Sequence, residues 1–147
     1  RLIAGDSALE THPDVRFYVN QVAPLIDGSK VRWIGGVAGR RKERVLQSAR
    51  ALLCPIRWAE PGATGVVEAL ARGVPVVGTP VGVLPSLIDH GITGYLGESE
   101  SDLAEFVRRT DDIDPAECRA AVAEWTPKEM ARRYIDLYCV LLRDAPR

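Results

Sequence analysis

Along the first hundred residues, short apolar runs alternate with helix-forming stretches, and that alternation constrains the fold more than any other feature. Leu2-Ile3-Ala4, Val31-Arg32-Trp33-Ile34, Ala51–Ile56, Val74-Pro75-Val76-Val77-Gly78 and Gly94-Tyr95-Leu96 have the length and composition of strands. Ala51–Ile56 is almost wholly apolar, as strands buried on both faces are. Helical patterns fall between them: somewhere in Pro13 to Ile26, over Arg41 to Arg50, over Ala63 to Arg72 and near Leu84 to Asp89. Gly73 stops the third. Strands alternating with helices of this length imply right-handed βαβ units. The expected fold class is α/β: a Rossmann-like parallel sheet of about five short strands flanked by helices. From Ser101 onward only helices are expected. Asp114-Pro115-Ala116-Glu117 supplies an N-cap, a Pro at N1 and an acid at N3, and Thr126-Pro127-Lys128-Glu129 repeats the device. The helix from Pro127 aligns Met130, Tyr134, Leu137, Tyr138 and Leu141 on one stripe. The expected organisation is one domain over 1–147, with an α/β core in 1–100 and a helical section in 101–147.

With 147 residues the chain supports one sizeable core. Its 46% hydrophobic and 27% charged residues exclude disordered and low-complexity architectures. No apolar run approaches the 18 residues or so of a spanning helix. The opening Arg1-Leu2-Ile3-Ala4-Gly5 is too short and too quickly polar for a signal peptide, and without an initial Met the chain reads as a fragment or a processed product. Three cysteines without Cys-x-x-Cys spacing speak against a disulfide framework and against zinc; Cys54, Cys118 and Cys139 read as small hydrophobes in a reducing compartment. The net charge of −1 argues against general nucleic-acid binding. Lys30 to Arg50 nevertheless holds seven basic residues against one acid, and Arg40-Arg41-Lys42-Glu43-Arg44 reads as a solvated helix face. His12 and His90 have no metal partner at useful spacing; His12 reads as a turn residue, and His90 as a loop residue whose cationic form suits a helix end. Trp33, Trp58 and Trp125 read as packing anchors.

In an open α/β sheet, ligands bind beyond the carboxyl ends of the strands. The segment after Ala51–Ile56 is such a place. It runs Arg57-Trp58-Ala59-Glu60-Pro61-Gly62-Ala63-Thr64-Gly65-Val66-Val67-Glu68. Small residues at 62, 63 and 65 leave main-chain amides approachable as a helix begins, and free amides at a helix start attract phosphate. Glu68 stands off the apolar stripe of Val66, Val67, Leu70 and Ala71, and an ionised carboxylate can accept from both hydroxyls of a ribose. Glu60, before the helix, can accept hydroxyls of a second sugar. The pattern suits a nucleoside diphosphate sugar, although acids near helix starts are commonly only dipole partners.

Glu60-x7-Glu68 followed by Ala69-Leu70-Ala71-x-Gly73-x-Pro75-Val76-Val77 resembles the donor-binding half of retaining GT-B glycosyltransferases of glycosyltransferase family 4. The resemblance extends to Gly35, Ala51-Leu52-Leu53-Cys54-Pro55, Gly82, Gly91-Ile92-Thr93-Gly94-Tyr95-Leu96 and Trp125-Thr126-Pro127 with Tyr134 and Tyr138. It implies that Glu60, the catalytic-site acid, contacts donor-sugar hydroxyls. It implies amides of Gly62, Ala63, Thr64 and Gly65 for the sugar and diphosphate, Glu68 for the ribose, and the main chain of Val37 in Gly35-Gly36-Val37 for the base. The implied reaction is transfer of a hexosyl group from a UDP-, GDP- or ADP-linked sugar with retention, with no metal and no cofactor beyond the donor. The chain departs from the family at Gly62-Ala63-Thr64, where Phe-Gly-Leu is frequent, and at Ser86, where an acid follows Pro85.

The family's diphosphate-binding Arg and Lys would lie upstream of Arg1, as would an acceptor-binding N-terminal domain. The expectation is therefore a truncated donor domain, inactive alone, from a cytoplasmic enzyme that is soluble or peripheral to a membrane. Two alternatives remain: a non-catalytic nucleotide-binding or interaction module of the same fold, and a GT-B-like sugar-nucleotide epimerase. Gly35-Gly36-Val37-Ala38-Gly39 does not match Gly-x-Gly-x-x-Gly, which disfavours a nicotinamide dehydrogenase, and no P-loop is present.

Overall fold

A computed structural model describes residues 2–4 and 15–144 of the chain. His12 and the start of the first expected helix lie outside the described residues. Two compact units are present, Arg1–Val45 and Leu46–Arg147. In the first, β1 (Leu2–Ala4) pairs in parallel with β2 (Arg32–Gly35), Leu2 opposite Arg32 and Ile3 opposite Trp33. The helix expected before Ile26 is present but irregular. It passes from α1 (Val15–Phe17) through a π turn at Tyr18–Val22 to a 3-10 turn at Ala23–Leu25. Pro24 explains the last change, because it has no N–H to continue the α ladder. The Asp27 carboxylate accepts the amides of Val31 and Ser29, each at 2.9 Å, and these bonds hold its carboxyl below the usual range. Tyr18 meets Trp33 edge to face, centroids 6.1 Å apart, so Trp33 is the packing residue expected. Helix α2 (Gly39–Gln47) begins in this unit, and its Arg41 guanidinium donates to the Ile34 carbonyl at 2.9 Å. Arg40, Arg41 and Arg44 are exposed, the solvated face that the charge run suggests.

The second unit carries β3 (Leu52–Cys54), β4 (Val76–Gly78) and β5 (Gly94–Leu96), all parallel and ordered β3-β4-β5. Val76 lies opposite both Leu52 and Gly94. The expected five parallel strands are therefore present, two in the first unit and three in the second. Apolar runs fix strand type and direction; they do not specify which backbones exchange hydrogen bonds.

Helix α3 (Thr64–Leu70) buries Val66, Ala69 and Leu70, an i, i+3, i+4 set, against the sheet. This corrects the expected stripe: Ala69 is the third buried position, Val67 is half-buried and Ala71 is exposed. The same core takes Leu84 from α4 (Leu84–Leu87), Ile113, and Cys118 from α6 (Pro115–Ala121). Each fully buried leucine contributes roughly 2–3 kcal/mol of transfer free energy. The end of α3 is fixed by backbone bonds from Gly73 N–H to Leu70 O at 2.8 Å and from Val74 N–H to Ala69 O at 3.0 Å. This is a Schellman ending with Gly73 in the left-handed region, φ +74°.

Helix α5 (Glu100–Arg109) opens with a capping box between Ser99 and Asp102. Its Phe106 stacks on Tyr95 with centroids 5.0 Å apart, and His90 meets both rings edge-on. The His90 Nδ1 accepts the Leu96 amide at 3.1 Å. Both later caps form as expected, Asp114 accepting from the Ala116 amide and Thr126 from the Glu129 amide.

The stripe on α7 (Pro127–Asp144) differs from expectation. Met130, Tyr134, Leu137, Tyr138 and Leu141 are each 50–58% exposed. Periodicity creates an apolar face without supplying a surface to cover it. Trp58 and Trp125 are likewise exposed, at 71% and 55%, and Cys139 is exposed, so none of the three is a core residue.

Candidate functional site

Val37 lies in the first unit, half-buried in the connection from β2 to α2. Gly35 opens that connection at φ +67° and Gly39 closes it at +51°, conformations that glycine adopts without a Cβ penalty. The other expected site residues all lie in the second unit, in the connection from β3 to α3 and on α3 itself.

That connection leaves β3 at Cys54 and is pinned twice. The Thr79 hydroxyl, just past β4, donates to the Ile56 carbonyl at 2.5 Å, and the Val83 amide donates to the Glu60 carbonyl at 3.0 Å. Glu60 is half-buried and close enough to β3 for its charge to be felt there. The Cys54 thiol is pushed up first by burial and then by the Glu60 carboxylate.

Ala63 precedes α3 at φ 35°, ψ 47°, the only non-glycine residue with positive φ among those described. It is 5% exposed, and its carbonyl accepts the Val66 amide at 2.8 Å. A left-handed alanine costs roughly 1–2 kcal/mol, a strain borne by the packing around its methyl group. No side chain caps α3. Gly62, Thr64 and Gly65 are exposed around its start, and a Cβ added at Gly62 or Gly65 would meet nothing within 4 Å. Glu68 is half-buried one turn further on, on the flank of the buried face, and its carbonyl accepts from Arg72 Nη1 at 2.7 Å. An open, uncapped helix start is thus flanked in sequence by two half-buried acids, Glu60 and Glu68.

Two features escape the sequence reading. Gly82 has φ +62°, and a Cβ there would lie 2.6 Å from Glu60 N and 2.7 Å from Glu60 O. The Ser86 hydroxyl donates to the Val83 carbonyl at 2.7 Å. A glycine at 82 is visible in the sequence, but nothing local shows that it abuts a residue 22 positions earlier. Among the described residues no helix is long and apolar enough to cross a membrane.

Residues 2–116 match the glycosyl transferases group 1 family. A stretch of 33 residues is 58% identical to the N-acetyl-alpha-D-glucosaminyl L-malate synthase of Bacillus anthracis, covering 22% of this chain and 9% of that protein. Spore coat protein SA of Bacillus subtilis is 24% identical over 139 residues, covering 82% of this chain and 37% of that protein. Among solved structures, AviGT4, a glycosyltransferase involved in avilamycin A biosynthesis, is 33% identical with a TM-score of 0.74, over 98% of this chain and 44% of that one. The Anabaena protein HepE, solved with UDP-glucose, has a TM-score of 0.79 at 19% identity, over 95% of this chain and 40% of that one. The chain thus spans less than half the length of each of these relatives. With its helix-flanked parallel strands in a GT-B-like arrangement, it belongs to the glycosyl transferases group 1 family.

Proposed function

We propose that this chain is the donor-binding part of a retaining, family 4 glycosyltransferase that moves a hexosyl group from a nucleoside diphosphate sugar to an acceptor held by another part of the protein. The observation that carries this reading is the start of α3, which is uncapped, open at Gly62, Thr64 and Gly65, and set between Glu60 and Glu68. Its position inside the family match supports the assignment. The amides of residues 62–65 meet the diphosphate, whose charge grows as the bond to the anomeric carbon breaks; donors already in place stabilise that charge without reorganisation. Glu68 accepts from the ribose hydroxyls. Glu60 accepts from the hydroxyls of the transferred sugar and holds that ring for the reaction. Val37 meets the base through its main chain. No metal or further cofactor enters this scheme. The enzyme works in the cytoplasm, and this chain alone binds donor without turning it over.

UDP-glucose is the first donor to test, because HepE was solved with it. Titration of the chain with UDP-glucose, UDP, GDP and ADP, followed by amide chemical shifts, should perturb Val37, Thr64 and Glu68. Glu68→Ala should weaken the nucleotide about tenfold, the scale of one hydrogen bond to a charged group. Saturable binding unaffected by that change would reject the ribose assignment. Absence of binding by any of the four would reject the donor-site reading and favour an interaction module.

A further inference from the structure

The loop after β4 contributes a glycine to the seat of Glu60. We propose that Gly82 is a positioning residue for Glu60, setting where its carboxylate meets the donor sugar; the inference rests on the donor-sugar reading of Glu60 given above. A Cβ on Gly82 would approach Glu60 N at 2.6 Å, Glu60 O at 2.7 Å and Ala59 C at 3.0 Å. Each of these atoms is backbone, so none can swing aside as a side-chain end can. Cβ atoms essentially never come within 3.0 Å of such neighbours, so any side chain at 82 must shift the main chain at 82 against that at 59–60. The φ of +62° independently selects glycine.

The contact is reinforced from the next residue. The Val83 amide donates to the Glu60 carbonyl at 3.0 Å, and the Val83 carbonyl accepts both the Ser86 amide at 3.0 Å and the Ser86 hydroxyl at 2.7 Å. The first turn of α4 thus braces a peptide that touches Glu60 on one side and is tied back to the helix on the other. Ser86 acts within this brace. A displacement of about 1 Å at a substrate-holding group can cost as much as a hundredfold in rate, so the position of this peptide is a functional quantity.

Amide spectra first establish that each variant is folded. The affinity ratio of UDP-glucose to UDP is then measured by calorimetry in the unchanged chain, Gly82→Ala, Glu60→Ala, the double variant and Gly91→Ala. Gly91 is the control for backbone strain, with φ +82° and nothing within 4 Å of its would-be Cβ. Gly82→Ala should lower the ratio by about tenfold while UDP affinity changes little, one lost hydrogen bond's worth of affinity. Gly91→Ala should leave the ratio unchanged, and the double variant should match Glu60→Ala.

If Glu60→Ala lowers the ratio but Gly82→Ala does not, the positioning inference is overturned and the reading of Glu60 stands. If Glu60→Ala leaves the ratio unchanged, both fall. If Gly82→Ala does not fold, the unchanged chain still decides: UDP-glucose must shift the Gly82 and Val83 amides beyond the shift that UDP produces, and equal shifts refute the inference.

Discussion

Substituting alanine for Gly73 should destabilise the chain by about 2–4 kcal/mol, and the figure follows from two separable contributions. The first is conformational: at φ +74° an L side chain costs roughly 1–2 kcal/mol. The second is steric. The new Cβ would press on Arg119 Nη1, which can swing away, but would also lie 2.9 Å from Pro115 Cβ and 3.0 Å from Pro115 O, which cannot. Relieving such overpacking typically costs a further 1–3 kcal/mol or so, partly offset by the lower entropy of an unfolded alanine. The start of α6 must shift against the end of α3, where Cys118 and Leu70 share one core. Urea unfolding with the circular-dichroism signal as probe reads the difference. At a slope of about 1.5 kcal/mol/M the midpoint should fall by roughly 1.3–2.7 M. Gly91→Ala, equally left-handed but unobstructed, should lose only about 1 kcal/mol. Equal losses for the two variants would refute the claim that contact with Pro115 decides the larger one.

Leu70→Ala, at a fully buried position on α3, should cost about 3–5 kcal/mol and lower the thermal midpoint accordingly. Asp114→Ala and Thr126→Ala each remove an N-cap acceptor and should each cost about 1 kcal/mol in urea unfolding. Glu129, bonded by Arg132 and then Arg133, has its carboxyl lowered from an ordinary 4.5 to about 2. Its folded value is depressed, so its stabilisation of α7 is complete above about 4.5 and is lost as pH falls toward 2. Ellipticity at 222 nm should decline over that window, and Glu129→Gln should reduce the decline; an unchanged acid transition in that variant would count against the pairing. The Glu68→Ala and Gly82→Ala titrations test the donor site and its brace.

Much of the α/β alternation is legible because the strands are short, mostly apolar runs separated by stretches of helical composition. Asp114, Thr126 and Gly73 do locally what their chemistry suggests, since caps and turns depend on neighbours a few residues away. The Ser99–Asp102 capping box is equally local, a Ser-x-x-Asp pattern. Tertiary partners were not legible. The contact of Gly82 with Glu60 and the acceptor role of His90 toward Leu96 join positions that no local pattern connects. Apolar side chains mislead in a different way. Trp58, Trp125 and the stripe on α7 have the composition of core residues and lie on the surface. The spacing of Glu60 and Glu68 is visible in the sequence. The left-handed Ala63 between them is not, because alanine carries no signal for that conformation.

Ala63 divides its own loop into fixed and adjustable positions. Its methyl is enclosed and its backbone is left-handed, so replacement there is confined to glycine and the few small residues that accept that geometry. Gly62 and Gly65 have neither restriction, with clear space around them and ordinary φ. A combinatorial library seeking altered donor preference would therefore randomise 62 and 65 and leave 63 alone, and its folded members should outnumber those of a library that varies all three.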